Sequence, residues 1–126
     1  MKKLTVLLVL MFLLIIGCIR NSPVSPEGWI EVQFPNGGET FAKMSHITVR
    51  WTSIDVQNVD IYLVPLEKEI IHQIGWRIPA QSKKFRFFIG TETDLGAYKI
   101  RVEESHAPGE VYAEDESDGV WYIVYY

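Results

Sequence analysis

The residues of this chain whose types could do chemistry are three histidines, His46, His72 and His106, a single cysteine, Cys18, and a scatter of acidic pairs. Histidine and cysteine hold zinc, or act as base and nucleophile, only where spacing or folding makes them converge. Here the histidines fall in or beside different predicted elements without zinc-type spacing, and they read as ordinary surface or edge side chains. Serines lie in turn-like segments, and no Gly-x-Ser-x-Gly elbow occurs. Glu67 with Glu69, and Glu103 with Glu104, offer paired carboxylates of the kind a glycoside hydrolase uses. Acidic neighbours at strand ends are usually solvated, however. The stretch Glu110, Glu114, Asp115, Glu116 and Asp118 supplies oxygen ligands of the type calcium takes, but it lacks the alternation and distal glutamate of an EF-hand. A solvated loop before the last strand is favoured over a weak calcium site. The sequence therefore assigns no catalytic residue, no metal ligand and no cofactor, and the expectation is that the chain is not an enzyme.

Cys18 has a different chemistry open to it. Met1-Lys2-Lys3 is a short positive segment, Leu4 to Ile16 is apolar apart from Thr5, and small Gly17 precedes the thiol. Ile15-Ile16-Gly17-Cys18 closing such a run resembles the lipobox of a bacterial lipoprotein signal peptide. The resemblance implies export, diacylglyceryl attachment at the Cys18 thiol, cleavage before Cys18, and a mature protein held on a membrane of the cell envelope by its lipid. A transmembrane anchor fits less well, because the apolar run falls short of the roughly 20 residues a bilayer needs and no basic cluster follows. The organisation expected is signal peptide 1–17, lipidated cysteine and flexible tether 18–28, and one domain over 29–126. Pro23 and Pro26 favour extended backbone in the tether, and ten residues reach roughly 30 Å at most.

Charge narrows the partner. The whole chain has a formal charge of −4, and loss of Lys2 and Lys3 with the signal lowers it by two, to −6. Nucleic-acid binding needs a basic patch to neutralise phosphates. The one local cluster, Lys83-Lys84 with Arg86, reads instead as charge that discourages edge pairing beside a strand. With its sole cysteine assigned to lipid, the domain has no intrachain disulfide and must rest on its core. Aromatic residues, 13% of the chain, supply large apolar area for it.

From Trp29 onward the hydrophobic period is two. Ile30, Val32 and Phe34 alternate with polar residues up to the turn-forming Pro35-Asn36-Gly37-Gly38. Ile47, Val49 and Trp51 form a second run, and Val59, Ile61 and Leu63 a third that stops at Pro65. A fourth passes through Ile70, Ile71, Ile74, Trp76 and Ile78, and its facing is ambiguous. Phe85, Phe87 and Ile89 make a fifth, Tyr98, Ile100 and Val102 a sixth, and Val120 to about Tyr125 the last. About seven short strands without an amphipathic helix predict an all-β, immunoglobulin-like or fibronectin-like antiparallel sandwich. Asp94-Leu95-Gly96-Ala97-Tyr98 matches the approach to a tyrosine corner, with Ile100 where antibody domains place a disulfide cysteine.

Pro35-Asn36-Gly37-Gly38-Glu39 followed by Ile47-Thr48-Val49-Arg50-Trp51-Thr52-Ser53 resembles the opening of the Ser/Thr-rich GPI-anchored membrane protein domain. Gly96-Ala97-Tyr98-Lys99-Ile100-Arg101-Val102 and Asp115-Glu116-Ser117-Asp118 resemble its closing half. This family includes yeast cell-wall glucan-assembly proteins and bacterial and archaeal surface proteins. The resemblance implies an immunoglobulin-like module without catalytic residues. It spans nearly all of 29–126, although the chain has one copy of the module and no Ser/Thr-rich tail.

Aromatic side chains remain as candidate contacts. Trp51 is expected in the core, whereas Trp29, Tyr62, Trp76, Tyr122 and Tyr126 sit where alternation leaves some of them exposed, on one sheet face or at strand ends. The function expected is a lipid-anchored, immunoglobulin-like module of the cell envelope with a structural or protein-binding role. Its alternative is a carbohydrate-binding or adhesive surface lipoprotein that stacks sugars on Trp29, Tyr62, Trp76 or Tyr122.

Overall fold

Alternation of apolar and polar residues makes each strand a two-faced ribbon, and burying the apolar faces against one another makes a sandwich. In the computed structural model, which describes residues 27–125, nine strands result. They are β1 (Trp29–Phe34), β2 (Thr40–Ala42), β3 (His46–Ile54), β4 (Asn58–Pro65), β5 (His72–Pro79), β6 (Lys84–Phe88), β7 (Gly96–Glu104), β8 (Glu114–Glu116) and β9 (Trp121–Val124). The expected export signal over 1–17, Cys18, most of the expected tether and Tyr126 lie outside the described residues.

One sheet has the order β1-β3-β6 and the other β2-β9-β7-β4-β5, with β8 also paired to β7. All pairings are antiparallel except that of β2 with β9. The chain crosses between the sheets at the β1–β2, β2–β3, β3–β4, β5–β6 and β6–β7 connections, which makes the all-β sandwich. Ile30 and Val32 of β1 with Ile47, Val49 and Trp51 of β3 face Val59, Ile61 and Leu63 of β4, Tyr98, Ile100 and Val102 of β7, and Trp121 and Ile123 of β9, all buried. Trp51 lies in this core, with its indole Nε1–H donating to the Ala80 carbonyl at 3.2 Å. Ile100 is fully buried, so apolar contact occupies the place a disulfide holds in antibody domains.

The tyrosine corner forms as expected, with the Tyr98 phenol donating to the Asp94 carbonyl at 2.7 Å. Two short strands lie beyond what alternation predicts. β2 spans three residues and pairs in parallel with β9. β8 is Glu114-Asp115-Glu116, with no apolar residue to signal it, and owes its place to backbone pairing with Arg101–Glu103. β8 and β9 run end to end along the same edge of β7, separated by a kink at Ser117–Val120. Ile70 and Ile71, expected in the fourth strand, stand exposed in the β4–β5 connection.

The kink is held by the Pro35–Glu39 turn. Gly119 N–H donates to Asn36 O (2.7 Å), Asp118 N–H to Asn36 Oδ1 (2.8 Å), and Gly38 N–H to Val120 O (2.8 Å). Asn36 Nδ2 donates to Asp118 Oδ2 at 3.1 Å. The Glu39 carboxylate accepts the N–H groups of Asn36 and Gly37 at 2.9 and 2.7 Å. Partial burial would raise its pKa, but these backbone donors outweigh burial and hold it below the usual carboxylate value. Gly37 and Gly119 touch backbone to backbone: a Cβ on Gly119 would stand 2.9 Å from Gly37 Cα. The two acid-rich and glycine-rich motifs, some eighty residues apart in sequence, are thus one clasp.

Candidate binding face

The outer face of the six-stranded sheet is built by the positions that alternation turns away from the core: Asp60 and Tyr62 on β4, Arg101 and Glu103 on β7, and Gln73 on β5. Register makes rows of them. Tyr62 stands opposite Gln73 on one side and Arg101 on the other, and Asp60 stands opposite Glu103. Arg101 Nε is in turn 3.3 Å from Glu116 Oε2.

β5 is the edge strand, and its pairing with β4 slips. Ile61 pairs with Gly75 but Val59 pairs with Ile78, so Trp76 and Arg77 together face the single residue Asp60. This is a β-bulge, which re-aims side chains next to it. Arg77 has φ of 47°, and its N–H donates to Asp60 Oδ1 at 2.8 Å. The same oxygen accepts the Ser105 hydroxyl at 3.0 Å, so one carboxylate fixes both the bulge and the β7–β8 loop. Trp76 is left 65% exposed.

Beside it runs an open cleft of about 530 Å³ whose walls include Asp60, Gln73, Trp76, Arg77, His106 and Glu110. His106 stacks on Tyr112 with ring centroids 3.6 Å apart, and its Nε2 lies 3.5 Å from Glu103 Oε1. Glu103 is only 8% exposed. Burial of the Tyr62 phenol, followed by the Glu103 carboxylate against it, pushes its pKa up to about 12. The cleft thus joins an exposed indole, a guanidinium, an amide and two carboxylates within one wall.

Of the aromatic candidates, Trp76 lines the cleft and Tyr62 lies on the same face beside Gln73. Tyr122, 45% exposed, is on the same sheet but opposite Ala97, near the other end of β7. Trp29 is on β1 of the other sheet and does not join them. His46 and His72 are exposed on different sheets and His106 is in the β7–β8 loop, so the three histidines remain dispersed. Glu67 and Glu69 are exposed in the β4–β5 connection. In the acidic stretch, Asp115 accepts the Val32 N–H at 2.8 Å and Glu110 that of Ala107 at 3.3 Å. Asp60, Gln73 and Arg77 were not among the sequence candidates, because only the bulge assembles them. The one signal in the sequence is the broken alternation over Gln73–Ile78.

A second cavity of about 380 Å³ opens between the sheets at the other end of β4, with Leu63, Ile74, Phe87 and Tyr98 among its apolar walls and His72 and Glu92 on its polar side.

No protein-family model matches the chain, and no curated protein matches it. Among solved structures, the chain is similar to the X-ray structure of the endo-beta-1,4-mannanase from Thermotoga petrophila, with 16% identity and a TM-score of 0.49. The match covers 78% of this chain and 20% of the mannanase, so the chain spans about one fifth of that protein's length. This finding corrects the expectation that the chain is not an enzyme: the solved structure it matches is that of one. The physical flaw in the expectation is that it paired carboxylates along the chain. Period two sends neighbours such as Glu103 and Glu104 to opposite faces, whereas register sets Asp60 beside Glu103 on one face. The likeness itself carries no activity over to this chain.

Proposed function

We propose that the chain is a lipoprotein of the cell envelope, exported by residues 1–17, lipidated on Cys18 and tethered by 18–28, whose immunoglobulin-like sandwich binds a protein partner through the outer face of its six-stranded sheet. The exposed Trp76 beside Arg77 on the edge-strand bulge, with Tyr62 nearby, is the observation that carries the binding reading. Tryptophan, tyrosine and arginine dominate the energetics of protein interfaces. The lipobox resemblance supports the membrane setting, and the likeness of the Pro35–Glu39 and Asp115–Asp118 motifs to a surface-protein family supports the envelope.

The test is mild cross-linking in the native envelope followed by recovery of the lipidated chain, with Cys18→Ala and Trp76→Ala beside it. A reproducible protein partner that is lost with Trp76→Ala is the expected result. A partner retained at full yield by Trp76→Ala removes this face from the reading. Polysaccharide recovered in place of protein selects the second reading, glycan binding, which the indole flanked by the planar hydrogen-bonding groups of Gln73, Arg77 and Asp60 favours.

A further inference from the structure

We propose that the outer face of the three-stranded sheet is a docking surface for an anionic phospholipid bilayer, with Trp29 and Ile54 seated at headgroup level. The nearness of a bilayer rests on the lipoprotein reading above; the surface itself rests on side chains of β1, β3 and β6. Trp29 stands opposite Ile54 in register, and the two are 47% and 60% exposed. At the other end of the same face Phe88 is opposite His46, with ring centroids 5.1 Å apart, and is 43% exposed. Between these ends Arg50 is opposite Lys84, and Arg86 opposite Thr48.

The strip therefore has apolar rings at both ends and cations between them. Arg50, Lys84 and Arg86 all point to solvent, and Glu31 is the one carboxylate on the three strands' outer face. Among the described residues none of the three cations forms an ion pair. In a chain whose formal charge is −4, this face carries the opposite sign. Protection of an edge strand accounts for Lys84 and Arg86 on β6, but Arg50 is on the central strand β3, where there is no edge to protect. Indole rings settle at the membrane–water boundary, and cations near it are drawn to anionic lipid.

The tether also leaves from this end. Gly28 runs so close over the β3–β4 turn that a Cβ there would stand 2.7 Å from Val56 Cγ2 and 2.8 Å from the Asp55 carbonyl. Ten residues between Cys18 and Trp29, at roughly 30 Å of reach, are enough to let the sandwich lie on its side. β3 from His46 to Ile54 is about 27 Å long at strand rise, so both ends of the strip meet the lipid in that pose. The Trp76 cleft, on the outer face of the opposite sheet, then points away from the bilayer.

The experiment uses residues 18–126 with Cys18→Ser, which keep both sheets and the whole core without the apolar 1–17 segment or acyl groups. It is sedimented with vesicles of phosphatidylcholine alone or mixed with phosphatidylglycerol, at low and high salt. The expected result is binding to the anionic vesicles only, loss at high salt, and a blue shift of tryptophan emission that Trp29→Phe removes. Reversing Arg50, Lys84 and Arg86 to glutamate is expected to lower partitioning by about 100-fold or more. Equal partitioning to neutral and anionic vesicles overturns the proposal, as does binding unchanged by charge reversal. If circular dichroism shows the triple variant unfolded, Ile54→Ser with Trp29→Ser serves in its place and must lose the binding. Mass spectrometry of the native membrane fraction tests the anchor separately: a Cys18 without acyl mass removes the lipoprotein reading but not the docking face, and an acylated Cys18 without vesicle binding removes the face alone.

Discussion

Gly119→Ala tests whether the clasp between the Pro35–Glu39 turn and the β8–β9 kink holds the sandwich together. The added methyl would sit 2.9 Å from Gly37 Cα and 3.1 Å from the Asn36 carbonyl oxygen. Carbon–carbon contacts want about 3.5–4.0 Å. Both neighbours are backbone, so neither can rotate away, and the two segments must part. Overpacking of this kind costs about 1–3 kcal/mol. The hydrogen bonds Gly119 N–H to Asn36 O and Asp118 N–H to Asn36 Oδ1 stretch with it, at about 0.5–1.5 kcal/mol each. Reduced freedom of the unfolded chain offsets about 0.4–1 kcal/mol. The balance is a loss of about 2–4 kcal/mol, a large share of the 5–15 kcal/mol typical of a domain.

Urea unfolding followed by tryptophan fluorescence should show a midpoint lowered by about 1 M or more, with an unchanged slope. Gly38→Ala is the control. Its φ is +84° and a Cβ there meets nothing within 4 Å, so it reports backbone strain alone, about 1–2 kcal/mol. If Gly119→Ala costs no more than Gly38→Ala, or less than about 1 kcal/mol, the steric reasoning is wrong and the clasp is not a structural tie.

Tyr98→Phe removes the hydroxyl that reaches the Asp94 carbonyl but leaves the ring stacked on Trp121. It should cost about 0.5–1.5 kcal/mol in urea unfolding, whereas Tyr98→Leu should cost more by losing the stack. Asp60→Ala orphans the Arg77 N–H and the Ser105 hydroxyl together. A loss of about 1–3 kcal/mol is expected, with faster amide exchange at Arg77, and Asp60→Asn should recover part of it. Tyr62 should titrate near pH 12 in ultraviolet absorbance, and Tyr62→Phe should remove that step. Because the folded pKa lies above the ordinary value near 10, its contribution to stability is full below pH 10 and is lost as pH rises towards 12. The fall in stability across that window should therefore be shallower in Tyr62→Phe.

The strands of β3, β4 and β7 were legible because each repeats apolar, polar, apolar over enough residues for the period to speak. The tyrosine corner was legible because its residues are neighbours in sequence and its hydrogen bond is local. β8 was not, since Glu114-Asp115-Glu116 has no apolar member and pairs only because β7 offers an open edge. Tyr62 and Trp76 could be named as aromatic candidates from alternation alone. Asp60, Gln73 and Arg77 could not, because their meeting depends on a slip in the β4–β5 register.

Amino-acid pattern by itself determined the class of this protein: short alternating strands, turn-forming Pro-Asn-Gly-Gly, one cysteine after an apolar run, and no motif for a common nucleophile or zinc site. Those are local properties, set by side-chain period and by groups a few residues apart. Tertiary structure alone decided which strands are neighbours, that Asp60 lies against Glu103, that Asn36 grips Asp118, and that Trp29 and Trp76 lie on opposite sheets. Strand order and register follow from how all the apolar faces pack at once. No single segment carries that information.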